Sequence, residues 1–310
     1  MSQILSIVLP VFGLIGLGWA VSRLGVLSDS TCVGVSDFVA TLAIPALIFR
    51  TLSEGNAPVM LPWAYWSAYF LGVAAVWGIA MVAARRLFAA SGTDTVICGF
   101  SAAQANTVML GVPLIVMVFG EAGALPMFLL IAVHLPVVMI VAALLLSRTG
   151  TGGGQVLVMV RALLTNPIII AILLGGMVRI THLPLPDLLN QVIGQLATAA
   201  APVTLVALGM AVARYGLRGN LGPTAIMVLL KMVVHPLIVW LLAFHVFTMP
   251  ATFAAVAVTF AALPTGINAY LVAVRYRSGE ALASNAISLT TLASVITIPF
   301  WLWVIGAAAP

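Results

Sequence analysis

Residues 99–120 read GFSAAQANTVMLGVPLIVMVFG. The flanks are apolar enough for lipid, yet the centre holds Gln104, Asn106, Thr107, Gly111 and Pro113. Pro113 has no N–H and its ring crowds the preceding turn, so the carbonyl of Met109 loses its helical partner. Gly111 permits close approach of another segment. A second stretch, residues 258–276, VTFAALPTGINAYLVAVRY, repeats the grammar with Pro264, Thr265, Gly266, Asn268 and Tyr270. Unpaired backbone groups are costly at lipid depth, so such breaks persist only where protein or a watery cavity satisfies them.

Composition supports that setting. Hydrophobic residues make up 63% of the 310 and charged residues only 6%, where a soluble domain would carry roughly a quarter charged. Too little polar surface exists to cover a water-soluble globule. The net charge of +5 rests on arginines scattered singly or in pairs, which excludes a nucleic-acid-binding run. Cys32 falls in an expected loop and Cys98 at an expected helix start, without disulfide or metal spacing. The first apolar stretch follows Met1-Ser2-Gln3 with no basic segment, so no cleavable signal peptide is expected.

The two broken stretches belong to a wider echo. Pro10 and Pro167, like Pro45 and Pro202, lie 157 residues apart, and Gly18, Arg23 and Asp29 reappear as Gly175, Arg179 and Asp187. The sequence therefore divides into a first repeat, 1–148, a short linker, 149–160, and a second repeat, 161–310. The expected fold is an all-α polytopic membrane protein of ten spans, five per repeat. Duplicated halves with helices broken at corresponding points are the sequence signature of a secondary transporter.

Spans of about 20 apolar residues are expected near Ile4–Val21, Val33–Leu52, Pro62–Ala83, Thr95–Phe119 and Ala124–Leu146. The second five are Leu163–Ile180, Leu188–Val212, Pro223–Val246, Thr252–Val274 and Leu282–Ile305. Basic residues are retained on the cytoplasmic side. With the N-terminus outside, that side collects Arg23, Arg85, Arg86, Arg148, Arg161, Arg214, Arg218, Arg275 and Arg277, against Arg50 and Arg179 outside. Both termini are therefore expected on the extracytoplasmic face. Five helices per half then invert the second repeat relative to the first.

Asn106-Thr107-Val108-Met109-Leu110-Gly111-Val112-Pro113-Leu114 resembles the crossover-helix motif of the auxin efflux carrier family. That family includes the plant PIN proteins and bacterial malonate or malate permease-like carriers. Ala262-Leu263-Pro264-Thr265-Gly266-Ile267-Asn268-Ala269-Tyr270 resembles the partner motif, and the similarity extends over all ten spans. The resemblance implies an inverted-repeat fold in which spans one, two, six and seven form a scaffold, often dimeric. The remaining spans would move as an elevator-type transport domain, with substrate bound where the broken helices cross. It also implies carboxylate contact at Asn106. The long hydrophilic central loop of many plant members is absent here.

The expected function is secondary transport of a small organic anion, malonate-like, malate-like or auxin-like, across a bacterial inner (plasma) membrane. The expected binding set is Asn106, Thr107, Gly111, Pro113, Pro264, Thr265, Gly266 and Asn268. Half-helix N-termini carry partial positive charge and suit a carboxylate. Gln104, Tyr270, Lys231, His235 and His134 are accessory candidates. Lys231, the single lysine, lies about eight residues into span eight, ~12 Å along the axis, near the middle of a ~30 Å core. It reads either as an attractor of anions or stand-in for a coupling cation, or as a cap on carbonyls of a broken helix. His235, one turn on, reads as a proton-responsive partner or a packed neutral imidazole; His134 reads as a structural hydrogen bonder. Ser284, Asn285, Ser288, Thr291 and Ser294 form a stripe on span ten for packing or for a cavity.

No carboxylate falls at a midplane, so neither a metal site nor a dedicated sodium site on Asp or Glu is expected, and no cofactor. A sodium-coupled organic anion symporter of the bile-acid symporter type, and a transporter-like sensor, remain the alternatives. An intramembrane enzyme would need a nucleophile with its base, an Asp pair or a metal cluster at depth, and no catalytic residue is expected. The expected partners are the anion, the lipid bilayer and a second copy through spans one, two, six and seven; nucleic acid is excluded.

Overall fold

With almost no charge to interrupt them, the apolar runs fold as helices, since a helix satisfies its own backbone in lipid. The computed structural model of the protein describes residues 2–54, 63–149, 161, 164–215, 217 and 221–307. The helices are α1 (Ser2–Arg23), α2 (Asp29–Phe38), α3 (Ile44–Glu54), α4 (Trp63–Phe88), α5 (Gly92–Ala103), α6 (Val112–Ser147) and α7 (Pro167–Thr181). They continue with α8 (Asp187–Arg214), α9 (Gly222–Leu229), α10 (His235–Leu241), α11 (Ala251–Ala261), α12 (Asn268–Tyr276) and α13 (Glu280–Val304). The protein is thus an all-α polytopic membrane protein. The linker at 150–160, Arg218, Pro62 and Leu163 lie outside the described residues.

Among the described residues, seven helices are long and apolar enough to cross a membrane, and Pro167–Thr181 and Ala251–Ala261 are shorter apolar helices. The difference from ten expected spans has a local cause. The fourth and ninth expected spans are cut into pieces at their centres. The fourth and fifth then run together as one helical stretch that turns at Gly120, whose φ of 56° and ψ of −144° are not helical. Cys32 lies buried in α2 rather than in a loop. That helix starts at Asp29 because Ser28 accepts the Thr31 N–H at 3.2 Å and Asp29 suits the positive end of the dipole.

Several prolines leave a distinct signature. Val39–Ala43, Thr107–Gly111 and Leu230–Val234 are π-helical turns, and each ends two residues before a proline: Pro45, Pro113 and Pro236. Widening the turn accommodates a ring that lacks an N–H and crowds the carbonyl four residues back. The carbonyl that Pro236 would clash with belongs to Met232, and it accepts instead from the Trp301 indole at 2.9 Å. Pro10, Pro202 and Pro299 sit inside α-helices without such a turn.

Helices pack in two groups. α1, α2 and α3 pack with α7 and α8, while α4, α5, α6 and α9 to α13 pack among themselves. The first group is close because it is lined with glycine: a Cβ on Gly18 would strike the Val206 carbonyl, and one on Gly209 the Ile15 carbonyl. Small residues let membrane helices reach such distances. Large apolar side chains such as Leu9, Leu173, Ile296 and Trp303 point outward, as lipid-facing surfaces require.

Candidate functional site

The broken stretches at 104–106 and 262–267 meet and satisfy each other. Asn106 N–H donates to the Pro264 carbonyl at 2.8 Å, and Gly266 N–H returns a bond to the Gln104 carbonyl at 3.3 Å. The pair makes an antiparallel bridge centred on Ala105 and Thr265. Within a continuous helix Ala105 N–H would bond the Ser101 carbonyl. Here it donates to His134 Nε2 at 3.4 Å, and the Ser101 carbonyl accepts the Thr265 hydroxyl at 2.8 Å. Thr265 N–H donates to Thr290 Oγ1 at 2.9 Å. Each backbone group freed by the breaks that appears in these bonds has been transferred to a tertiary partner, which is what permits irregular backbone at depth.

Helix restarts from Asn106, whose Oδ1 accepts the Met109 N–H at 3.2 Å. Its other amide atom, Nδ2, is buried with no hydrogen-bond partner, as is Oε1 of Gln104. A buried unsatisfied donor costs about 1–3 kcal/mol, so this N–H is poised for an acceptor. Asn106 itself is only 4% exposed. Gly111 lies against Leu263, whose Cδ1 would be 2.7 Å from any Cβ there. A Cβ on Gly266 would collide with the Gln104 amide. A Cβ at either position would have to displace the end of a side chain from the other stretch, so both glycines let the two stretches approach closely.

Of the candidate residues, Gln104, Asn106, Pro264, Thr265 and Gly266 are joined directly, and Thr107, Gly111 and Pro113 are buried beside them. Asn268 opens α12 half-buried, and Tyr270 packs edge-on to Tyr215 at 5.0 Å between ring centroids. His134 reaches the first break through Ala105. Lys231 and His235 are fully buried but bond one another, Nζ to Nδ1 at 3.1 Å. Neither bonds Asn106.

Ser101, Leu263 and Thr290 belong to this junction and were not singled out in the sequence. The polar stripe on α13 was the available signal for Thr290, but the residue that holds the break sits between Ser288 and Thr291, the two that were named. Ser288 instead donates to the Tyr215 carbonyl at 3.0 Å. A separate cavity of about 540 Å³ opens where α3, α7 and α8 face the bend of α6, lined by Arg50, Glu54, Gly120, Glu121, Phe128 and Arg179.

The chain matches the family described as Membrane transport protein twice in succession, over residues 3–157 and 155–302. It is similar to a protein of Rhizobium meliloti (strain 1021) named "Putative malonate transporter", 29% identical over 317 residues, covering 100% of this chain and 98% of the relative. It is also similar to an "Uncharacterized transporter" of Methanothermobacter thermautotrophicus, 27% identical over 299 residues, covering 95% of this chain and 96% of the relative. With apolar helices of spanning length and full-length family matches, the chain belongs to the membrane transport protein family, the auxin efflux carriers, and is an integral membrane protein.

Proposed function

We propose that this protein is a secondary carrier of a small organic anion, with the carboxylate bound where the two broken stretches meet. The observation that carries the reading is Asn106 Nδ2, a buried donor without a partner beside a backbone junction. Asn268, half-buried at the start of α12, adds a second neutral donor. Such a set suits a carboxylate that must also leave, because it supplies hydrogen bonds without a fixed counter-charge. The malonate name of the Rhizobium meliloti relative supports a short carboxylate as cargo.

The architecture we assign is ten passages in two inverted repeats, 1–148 and 161–310, joined by the linker 149–160. Both termini would lie outside the plasma membrane. Two successive matches to one family support the repeat, and the break within α6 at Gly120 supports a fourth and fifth passage. In this reading α1–α3, α7 and α8 are the scaffold and dimer surface, and the second packed group carries the site past it as an elevator. Export of an anion is favoured by the membrane potential at ~2.3 kcal/mol per charge per 100 mV. Uptake therefore needs coupling.

Counterflow in proteoliposomes tests the reading, with malonate, malate, acetate and indole-3-acetate as probes. The wild type accumulates at least one, and Asn106→Ala loses about 100-fold in efficiency through the missing donor and cap. Full activity in the folded mutant would move the site away from the junction. Counterflow that requires sodium would favour the symporter alternative.

A further inference from the structure

Four ring or amine side chains cluster behind the broken stretches and take no part in the donor set. Lys231 and His235 are entirely buried and lie on successive turns across the π-helical segment Leu230–Val234. Nζ stands 3.1 Å from His235 Nδ1. His134, also fully buried, places Nδ1 3.2 Å from the Tyr69 hydroxyl. The Tyr69 ring lies 5.5 Å from both imidazoles, centroid to centroid. The cluster reaches the first break, where His134 Nε2 accepts from Ala105, while His235 Nε2 is buried without a hydrogen-bond partner.

Hydrogen-bond roles fix how much charge the cluster holds. A backbone N–H always donates, so His134 Nε2 is bare and that ring is neutral. An ammonium and an imidazolium are both donors only and cannot bond each other, so Lys231 and His235 together carry at most one positive charge. Among the described residues no buried side chain is a carboxylate. The titratable groups on the surrounding helices are Tyr65 and Tyr69 of α4, Cys98 and Asp94 of α5 and His134 of α6, with Glu121 of α6 and His245 just beyond α10 both exposed. Asp94 is held at the start of its helix by Ser91 and Ser278, and Glu280, at the start of α13, is exposed. Arg85 and Arg86 are exposed at the end of α4. A charge on the Lys231–His235 pair therefore lacks a protein counter-ion at depth, where unpaired charge is strongly disfavoured.

We infer that Lys231 and His235, backed by Tyr69 and His134, form a proton-binding site that couples carboxylate transport to proton movement. The inference rests on the carrier reading above. A proton joins the free lone pair of Lys231 Nζ, and the resulting ammonium donates to His235 Nδ1. The anion at the junction supplies the missing counter-charge, so each ligand favours binding of the other, reciprocally. On the opposite side the anion leaves and Nζ releases the proton. Both ligands ride on helices of one packed group, α4, α6 and α9 to α12, and can move together.

The test is malonate transport in proteoliposomes loaded with a luminal pH dye, under an inward proton gradient and with the potential clamped. The wild type is expected to concentrate malonate at least tenfold and to acidify the lumen in step with uptake. In Lys231→Met the exchange that remains should be flat across roughly pH 5–8, and malonate entry should no longer acidify the lumen. His235→Gln, which keeps a hydrogen-bonding side chain, should show a reduced proton-to-malonate ratio. Wild-type malonate exchange without proton movement would overturn the inference and leave the carrier reading standing. Lumen acidification by Lys231→Met at the wild-type ratio would overturn the assignment to this pair. Absence of exchange of malonate and every other carboxylate by the wild type would overturn the carrier reading and this inference with it.

Discussion

The two breaks share a grammar but are held in different ways. The first is anchored by a ring nitrogen: Ala105 N–H on His134, with Asn106 Oδ1 capping the helix that follows. The second is anchored by hydroxyls: the Thr265 hydroxyl on Ser101 and its N–H on Thr290. Asn106 is sealed at 4% exposure with one hand of its amide in use. Asn268 sits half-buried with no cap role. The first break is thus pre-organised, while the carrier reading proposed above would give the second the adaptable donor. In that reading the fixed group sets register and the free one closes over cargo and lets it go.

The comparison breaks most readily at His134. His134→Ala leaves the Ala105 N–H and the Tyr69 hydroxyl without partners and opens a void. It is expected to cost about 3 kcal/mol, against about 1.5 kcal/mol for Thr290→Val, which strands a single N–H. Thermal unfolding in detergent reads both. Equal losses would mean that the two breaks are equally fixed, and the asymmetry would go.

The breaks themselves were legible in the sequence, because proline, glycine and asparagine inside an apolar run have few structural meanings. Their anchors were not. Nothing local to His134 or Thr290 marks them as partners of Ala105 and Thr265, since those contacts span 29 and 25 residues and depend on helix packing. Prolines were legible as perturbations, but their outcome was not: Pro45, Pro113 and Pro236 follow π turns while Pro10 and Pro299 ride inside α-helices. At Pro236 the crowded carbonyl has a distant donor, the Trp301 indole on Met232, which no local pattern announces. The i to i+4 pairing of Lys231 with His235 was readable from spacing alone; their burial together was a matter of packing.

Close approach gives a second handle. In Gly266→Ala the new methyl would meet the Gln104 amide, and overpacking of this kind costs about 2 kcal/mol. Gln104→Ala alone removes a side chain whose Oε1 already lacks a partner, so its own cost should be smaller. The double mutant Gln104→Ala with Gly266→Ala should recover most of the loss, because the collision partner is gone. Additive losses instead would show that the Gln104 amide is not what makes the new methyl costly.

The smallest structural effect belongs to Asn268, and its size is informative. Its side chain bonds no described residue and is half-buried, so Asn268→Ala should shift stability by less than about 0.5 kcal/mol. If the second break supplies a donor to cargo, the same mutant should lose about tenfold in counterflow efficiency, equivalent to roughly one ordinary hydrogen bond. A loss of transport without a loss of stability separates a ligand contact from a structural one, which Asn106 cannot do because it also caps a helix. An unchanged transport rate would leave the first break as the sole carrier of specificity, and the second as scaffold only.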